Sequence, residues 1–167
     1  ITIEDKLLKA FKKINIETNI VLSGRTDKEV HATGQVFNCV VPDFWQDFFK
    51  LKDILNKNLP SSIKILRIQK VKDDFHSRFH AKKRVYRYLI TTKPTTPFNN
   101  KFITHIKNVD EELLQKAIKE FIGVYDFKYF HKTGSDKELT KREIFDTAFY
   151  KYKDIYVFKF EANSYLR

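Results

Sequence analysis

Ile20-Val21-Leu22-Ser23-Gly24-Arg25-Thr26-Asp27-Lys28-Glu29-Val30-His31-Ala32-Thr33-Gly34-Gln35 is the stretch around which the rest of the chain arranges itself. Its first three residues are an apolar run that reads as a short buried strand. A second strand is expected from Gly34 to Val41, stopped by Pro42. The intervening loop is therefore flanked by strands, a favoured place for catalytic groups because a sheet holds it rigidly. Gly24 is expected to allow a sharp turn and Thr26 to tie it with its hydroxyl. Arg25 and Asp27, two residues apart, share one side of an extended chain and would pair. A surface turn carboxylate, its ion-pair partner and a polar His31 at a strand entrance satisfy the same spacing, and spacing alone favours that plainer account.

Outward from this loop the periodicity alternates between helix and strand. Ile3, Leu7, Leu8, Phe11 and Ile14 recur at helical spacing, with Thr2 as N-cap and Asp5 in the first turn. Asp43 is expected to cap a helix from Phe44 to about Asn58, and Ile63 to Val71 reads as a strand with a bulge. In the second half, Lys83 to Thr91 reads as a strand and Thr92 to Asn100 as a Pro-punctuated loop. Asp110 opens a helix that Gly123 stops, and Arg142–Tyr152 with Ile155–Glu161 form a hairpin across Lys153-Asp154. The order is α-β-β-α-β, then β-α-β-β. One strand before Ile1 and one helix after Arg167 would bring both halves close to the βαββαβ ferredoxin-like arrangement. The fold class expected is therefore α+β, two ferredoxin-like halves (1–72 and 73–167) around a largely antiparallel sheet, lacking the first strand and the last helix. A single irregular α+β domain is the competing organisation, since no residue-level repeat links the halves.

The 167 residues carry 42% hydrophobic residues, enough for a sizeable core, and the 16 Phe are expected mostly inside it. A formal charge of +11 attracts polyanions, although most of the basic residues are Lys and could be solubilising. Arg78, Arg84 and Arg87 fall within ten residues, and guanidinium forks suit phosphate oxygens better than Lys does. The lone Cys39 excludes an internal disulfide and reads as a small buried thiol. No Cys/His spacing suggests zinc, and no Gly-rich phosphate loop is present. No run approaches the ~20 apolar residues that span a bilayer and no signal-peptide pattern opens the chain, so a cytoplasmic location is expected.

Gly24-Arg25-Thr26-Asp27, followed by Val30-His31-Ala32 and Gly34-Gln35-Val36, resembles the catalytic signature of the tRNA pseudouridine synthase A family. Further matches fall in the family's order. Phe79-His80-Ala81 through Arg84-Val85-Tyr86-Arg87-Tyr88 is similar to its Arg-x-Tyr-x-Tyr strand, and Phe121 to Phe127 to its helix-exit motif. Thr140 with Arg142-Glu143-Ile144 resembles the strand that follows, and Ala162 to Arg167 the start of its last motif. Five ordered motifs over nearly the whole chain are far more specific than any one of them.

The resemblance implies an isomerase that breaks the uridine N1–C1′ bond, turns the base and rejoins it through C5, without metal or redox cofactor. Asp27 falls at the nucleophile's position, where a carboxylate divides one hard step into easier ones. Attack on C6, attack on C1′ and a glycal route stay open. Arg25 would help extrude the target nucleotide or hold Asp27 ionised. Tyr86 corresponds to the family's active-site Tyr, stacking on the base and handling the C5 proton; alternation with Tyr88 and Ile90 allows half-buried packing instead. The implied substrate is the anticodon stem-loop of tRNA, at positions 38–40, and the implied assembly a homodimer. Arg84, Arg87, Lys83 and His31 are expected to bind RNA, with Lys82 and the loop near Lys132 and Lys137 as further candidates. Extruding a base costs a few kcal/mol, which several phosphate contacts could offset.

The chain departs from the family pattern at Glu29, where the family usually has Gly, so a positive φ there would strain the loop. The family's first strand and its later Met-Val-Arg lie outside these residues, and Arg167 aligns before that triplet, so an incomplete enzyme is expected. Two other readings compete: a non-catalytic ferredoxin-like RNA-binding module, against which stands the lack of an aromatic RNP signature, and an inactive truncated synthase.

Overall fold

The computed structural model describes residues 2–130 and 140–166, and the chain forms two compact units, Ile1–His80 and Ala81–Arg167. In the first unit, helix α1 (Ile3–Lys12) begins at a reciprocal cap. The Asp5 N–H donates to Thr2 Oγ1 at 3.1 Å, and the Thr2 N–H donates to Asp5 Oδ2 at 2.7 Å. Acidic Glu4 and Asp5 at its start and Lys9 and Lys12 at its end suit the helix dipole. Leu7, Ala10 and Phe11 face inward and meet Leu51 and Leu55 of helix α2 (Phe48–Asn58). Ile16, Ile20, Leu59 and Ile65 complete this core, which Cys39 borders half-buried, its thiol pKa raised by burial.

Helix α2 starts four residues later than its sequence suggests. Asp43 has Gln46 at capping-box spacing, but the Trp45 N–H donates to Pro42 O at 3.0 Å and forms a turn instead. Asp47 is the cap, accepting from the Lys50 N–H at 2.9 Å. The strand expected over Gly34–Val41 is reduced to β2 (Phe37–Asn38), which pairs antiparallel with β1 (Val21–Leu22). No strand forms over Ile63–Val71 among the described residues. The Asn56 carboxamide takes both backbone groups of Ile65, at 2.7 and 2.9 Å, where a ladder partner would sit.

The loop between β1 and β2 contains a four-residue turn in which the Val30 N–H donates to Asp27 O at 3.2 Å. Glu29 sits at its third position with φ 69, whereas Lys28 keeps a negative φ. This is the pattern of a type II turn, whose third position favours Gly.

The second unit is built on a mixed five-stranded sheet of order β4-β3-β7-β6-β5. Its strands are β3 (Arg84–Thr91), β4 (Thr104–His105), β5 (Gly123–Asp126), β6 (Lys141–Tyr152) and β7 (Ile155–Ala162). The β6–β7 hairpin turns at Lys153-Asp154, where Lys153 takes φ 54. Strand β4, parallel to β3, and strand β5 are additions to the elements read from sequence. Helix α3 (Glu111–Lys119) is capped by Asp110 and lies on β6 through Thr147, whose hydroxyl donates to Ile118 O at 3.0 Å. The helix ends at Lys119 with Glu120 as its C-cap, and Gly123, with φ 128, opens β5 instead of stopping the helix. The chain is thus a mixed α+β protein with a mixed sheet, compatible with a pseudouridine synthase fold.

Of the 16 Phe, Phe11 is the one that is buried. The expected Phe core is overturned: Leu, Ile and Val fill the interior, while Phe44, Phe49, Phe79 and Phe98 are all more than 70% exposed.

Two stability predictions follow from these local geometries. Glu29→Gly removes the left-handed penalty of a side chain, ~1–2 kcal/mol, against a larger unfolded-state entropy. A net gain of up to about 1 kcal/mol is expected in urea unfolding, and a loss of stability would show that the turn is not strained. On the sheet, Lys159 and Lys83 each reach a Glu161 oxygen at 2.6 Å. These bonds, Lys159 first, hold the Glu161 carboxyl down to about 2 from its ordinary 4.5. A depressed folded pKa gives stability that is fully present above pH 4.5 and lost as pH falls towards 2. Glu161→Gln should therefore be less stable than the parent at neutral pH, the gap closing across that window; a constant gap would contradict the ion-pair origin.

Candidate functional site

The first unit presents the loop 23–36. Its stem is held by the Ser23 N–H donating to Val36 O at 2.9 Å and by the Gln35 side chain donating to Gly24 O. Gly24 adopts no positive φ and a Cβ there would meet nothing within 4 Å, so the sharp turn expected of it falls instead at Asp27–Val30. Arg25, Asp27 and His31 are all exposed on this loop. Arg25 and Asp27 form no ion pair among the described residues, contrary to their spacing, because the chain leaves the extended state at Asp27. The Asp27 carboxylate oxygens accept no hydrogen bond among the described residues, which leaves both to an incoming ligand.

The second unit presents strand β3. Its unbroken register with β7 puts Tyr86 opposite Phe160, Tyr88 opposite Phe158 and Arg87 opposite Lys159. Arg84, Tyr86 and Tyr88 therefore share one face, and Arg87 lies on the other. Tyr86 is 41% exposed, its ring 4.5 Å from that of Tyr165 in an edge-to-face contact. Arg84 Nη1 donates to Asn163 O at 2.7 Å, and the Tyr165 hydroxyl donates to Arg84 O at 3.4 Å. Burial, with Tyr86 and Glu161 nearby, raises the Tyr165 pKa, so this phenol stays protonated and can donate.

Arg84 is thus held by backbone, Lys83 by Glu161, and Arg87 stands beside Lys159. Lys132, Lys137 and Arg167 lie outside the described residues. The residue that sequence reasoning missed is Tyr165: it stands in the Ala162–Arg167 motif, but only the fold brings it onto Tyr86. Asn163 is the second, accepting from Arg84 through its carbonyl and from the Glu143 N–H, at 3.3 Å, through its side chain. Among the described residues no three His, Cys, Asp or Glu side chains converge as a metal site would require. None of the described helices is long and apolar enough to cross a membrane.

No family model matches the chain. It is 37% identical over 161 residues to the tRNA pseudouridine synthase A of Wolinella succinogenes, covering 96% of this chain and 64% of that protein. The Campylobacter jejuni protein of the same name is 36% identical over 165 residues, 99% of this chain and 69% of its own length. That of Streptococcus agalactiae is 33% identical over 171 residues, 99% and 66%. The chain spans about two thirds of the length of these curated relatives. Identity at this level over nearly every residue, with the ordered motifs around Asp27 and Tyr86, places the chain in the tRNA pseudouridine synthase A family.

Proposed function

We propose that the chain is the catalytic part of a tRNA pseudouridine synthase acting on uridines of the anticodon stem-loop, with Asp27 as the nucleophile. The observation that carries this reading is the exposed, unshared carboxylate of Asp27 on a turn inside the Gly-Arg-Thr-Asp stretch of a chain with these relatives. In the reaction the N1–C1′ bond breaks, the base turns, and C5 bonds to C1′. The C5 proton leaves to solvent and N1 gains one, so atoms and charge balance without a cofactor. Arg25, two residues before the nucleophile, would act on the extruded nucleotide or on the charge of Asp27. Tyr86 would stack on the base, and the Tyr165 ring against it would set its tilt. The homodimer, the cytoplasmic location and the division into ferredoxin-like halves at 1–72 and 73–167 belong to the same proposal.

For RNA contact away from the target base, Arg87 is the strongest of the β3 candidates: it stands with Lys159 on the face opposite Tyr86, while Arg84 and Lys83 already have partners. His31, exposed on the Asp27 loop, is the candidate of the first unit. Arg87→Ala should weaken tRNA binding and make the log–log salt dependence shallower by roughly 0.7–0.9; an unchanged slope would remove Arg87 from the interface. The reaction itself is tested by tritium release from tRNA labelled at uridine C5. The parent chain should free tritium, and Asp27→Asn should abolish release while tRNA affinity stays within a few-fold. Release by Asp27→Asn near the parent rate would take Asp27 out of the mechanism, and none from the parent would favour the binding module or the inactive form.

A further inference from the structure

From Lys72 to His80 the chain closes on itself, and its polar groups are used inward. The His80 N–H donates to His76 O at 2.9 Å, and the His76 N–H donates to His80 Nδ1 at 3.3 Å. His76 Nδ1 accepts from the backbone N–H groups of Arg78, at 3.2 Å, and Phe79, at 3.3 Å, which makes Nε2 the ring's donor. Between the two histidines, Ser77 is 3% exposed. Its hydroxyl donates to Val21 O at 2.6 Å and its N–H to Asn38 Oδ1 at 2.9 Å. The turn is therefore fixed to β1 and to β2, the two strands that also carry the Asp27 loop.

What this anchored turn turns outward is aromatic. The Phe79 ring is 73% exposed although it stacks on the His76 ring, with centroids 4.2 Å apart and planes at 31°. The Arg78 guanidinium lies 5.7 Å from the Phe79 ring centre. An anchored, largely exposed ring with a cation over it, on a chain of formal charge +11, offers the aromatic and cationic contacts by which proteins hold unpaired bases of nucleic acids. Rigidity matters here, because a surface ordered in advance loses little freedom when a ligand arrives. Asp73 and Asp74, exposed at the start of the same turn, would repel a phosphate and so direct the backbone of the ligand towards Arg78.

We propose that Phe79, backed by His76 and flanked by Arg78, is a stacking platform for an unpaired nucleobase of the RNA substrate, with Arg78 directed to that nucleotide's phosphate. This rests on the reading of the chain as an RNA-modifying enzyme. Stacking is tolerant of base identity, so the platform would position the strand relative to Asp27 and leave sequence selection to other contacts. The test compares binding of a hairpin RNA with an unpaired loop and of a fully paired duplex RNA, using the parent chain, Phe79→Ala and Phe79→Trp. Phe79→Ala should weaken hairpin binding by about tenfold and leave duplex binding unchanged. Phe79→Trp should keep the hairpin affinity, and both variants should melt with the parent because the ring is exposed. Unchanged hairpin affinity in Phe79→Ala, or an equal loss on both RNAs, overturns the platform alone. A parent chain that binds neither RNA overturns the platform together with the proposed function.

Discussion

Two residue pairs are all that join β1 to β2, and a ladder that short does not hold a hairpin by itself. Ser77 supplies what the ladder lacks. It comes from a segment 39 residues beyond β2 and bonds to a β1 carbonyl and a β2 side chain, from a position closed to water. Removing its hydroxyl would lose a hydrogen bond made from a buried side chain, about 0.5–1.5 kcal/mol, a noticeable part of a small domain's margin. Ser77 thus ties the Phe79 turn to the two strands that carry the Asp27 loop.

Between those anchored ends the loop carries its own local cost. Glu29 occupies a left-handed position that Gly would fill without penalty. The turn it closes also ends the extended run that would have let Arg25 lie beside Asp27. An internal ion pair there would have satisfied both side chains and hidden the carboxylate from any substrate. Strain of this kind persists where the surroundings over-determine the backbone, and here the bonds Ser23–Val36 and Gln35–Gly24 close the stem beneath it.

Legibility in the sequence tracked how local the determining physics is. Helices α1 and α3 were legible to the residue at their starts, because a Thr or Asp cap acts within three residues of itself. Asp43 misled for the same reason: its capacity to cap is equally local, and the turn following Pro42 outweighs it. The long β6–β7 hairpin was readable from alternation, whereas β4, with two residues, carries no period at all. Ile63–Val71 alternates like a strand but lacks a paired edge, a property no single segment encodes. Asp27 and Tyr86 were singled out by resemblance and not by spacing, and their roles belong to the proposed function. Tyr165 and Phe79 gain their meaning only from neighbours brought in by the fold, one on β3 and the other inside a closed turn.

Under the proposed function, charge and aromatic surface would divide the work of holding a polyanion. The formal charge of +11 acts at long range and attracts any nucleic acid, but salt screens it within about 10 Å. Close to the sheet much of it is already spent. Glu161 takes one bond each from Lys83 and Lys159, and Asp146 lies 3.8 Å from Lys159, so these lysines offer a phosphate less than their number suggests. Register must come from groups whose geometry is fixed, and the interior leaves these available. Because the cores are filled with Leu, Ile and Val, the large rings are free to stand at the surface, where an apolar face wants a partner. Phe79 in the first unit and Tyr86 in the second are both exposed rings braced edge or face against another ring. A chain that captures its ligand with diffuse lysine charge and aligns it on braced aromatics needs few specific polar contacts. Arg84 can then stay on the Asn163 carbonyl and brace the sheet without weakening that capture.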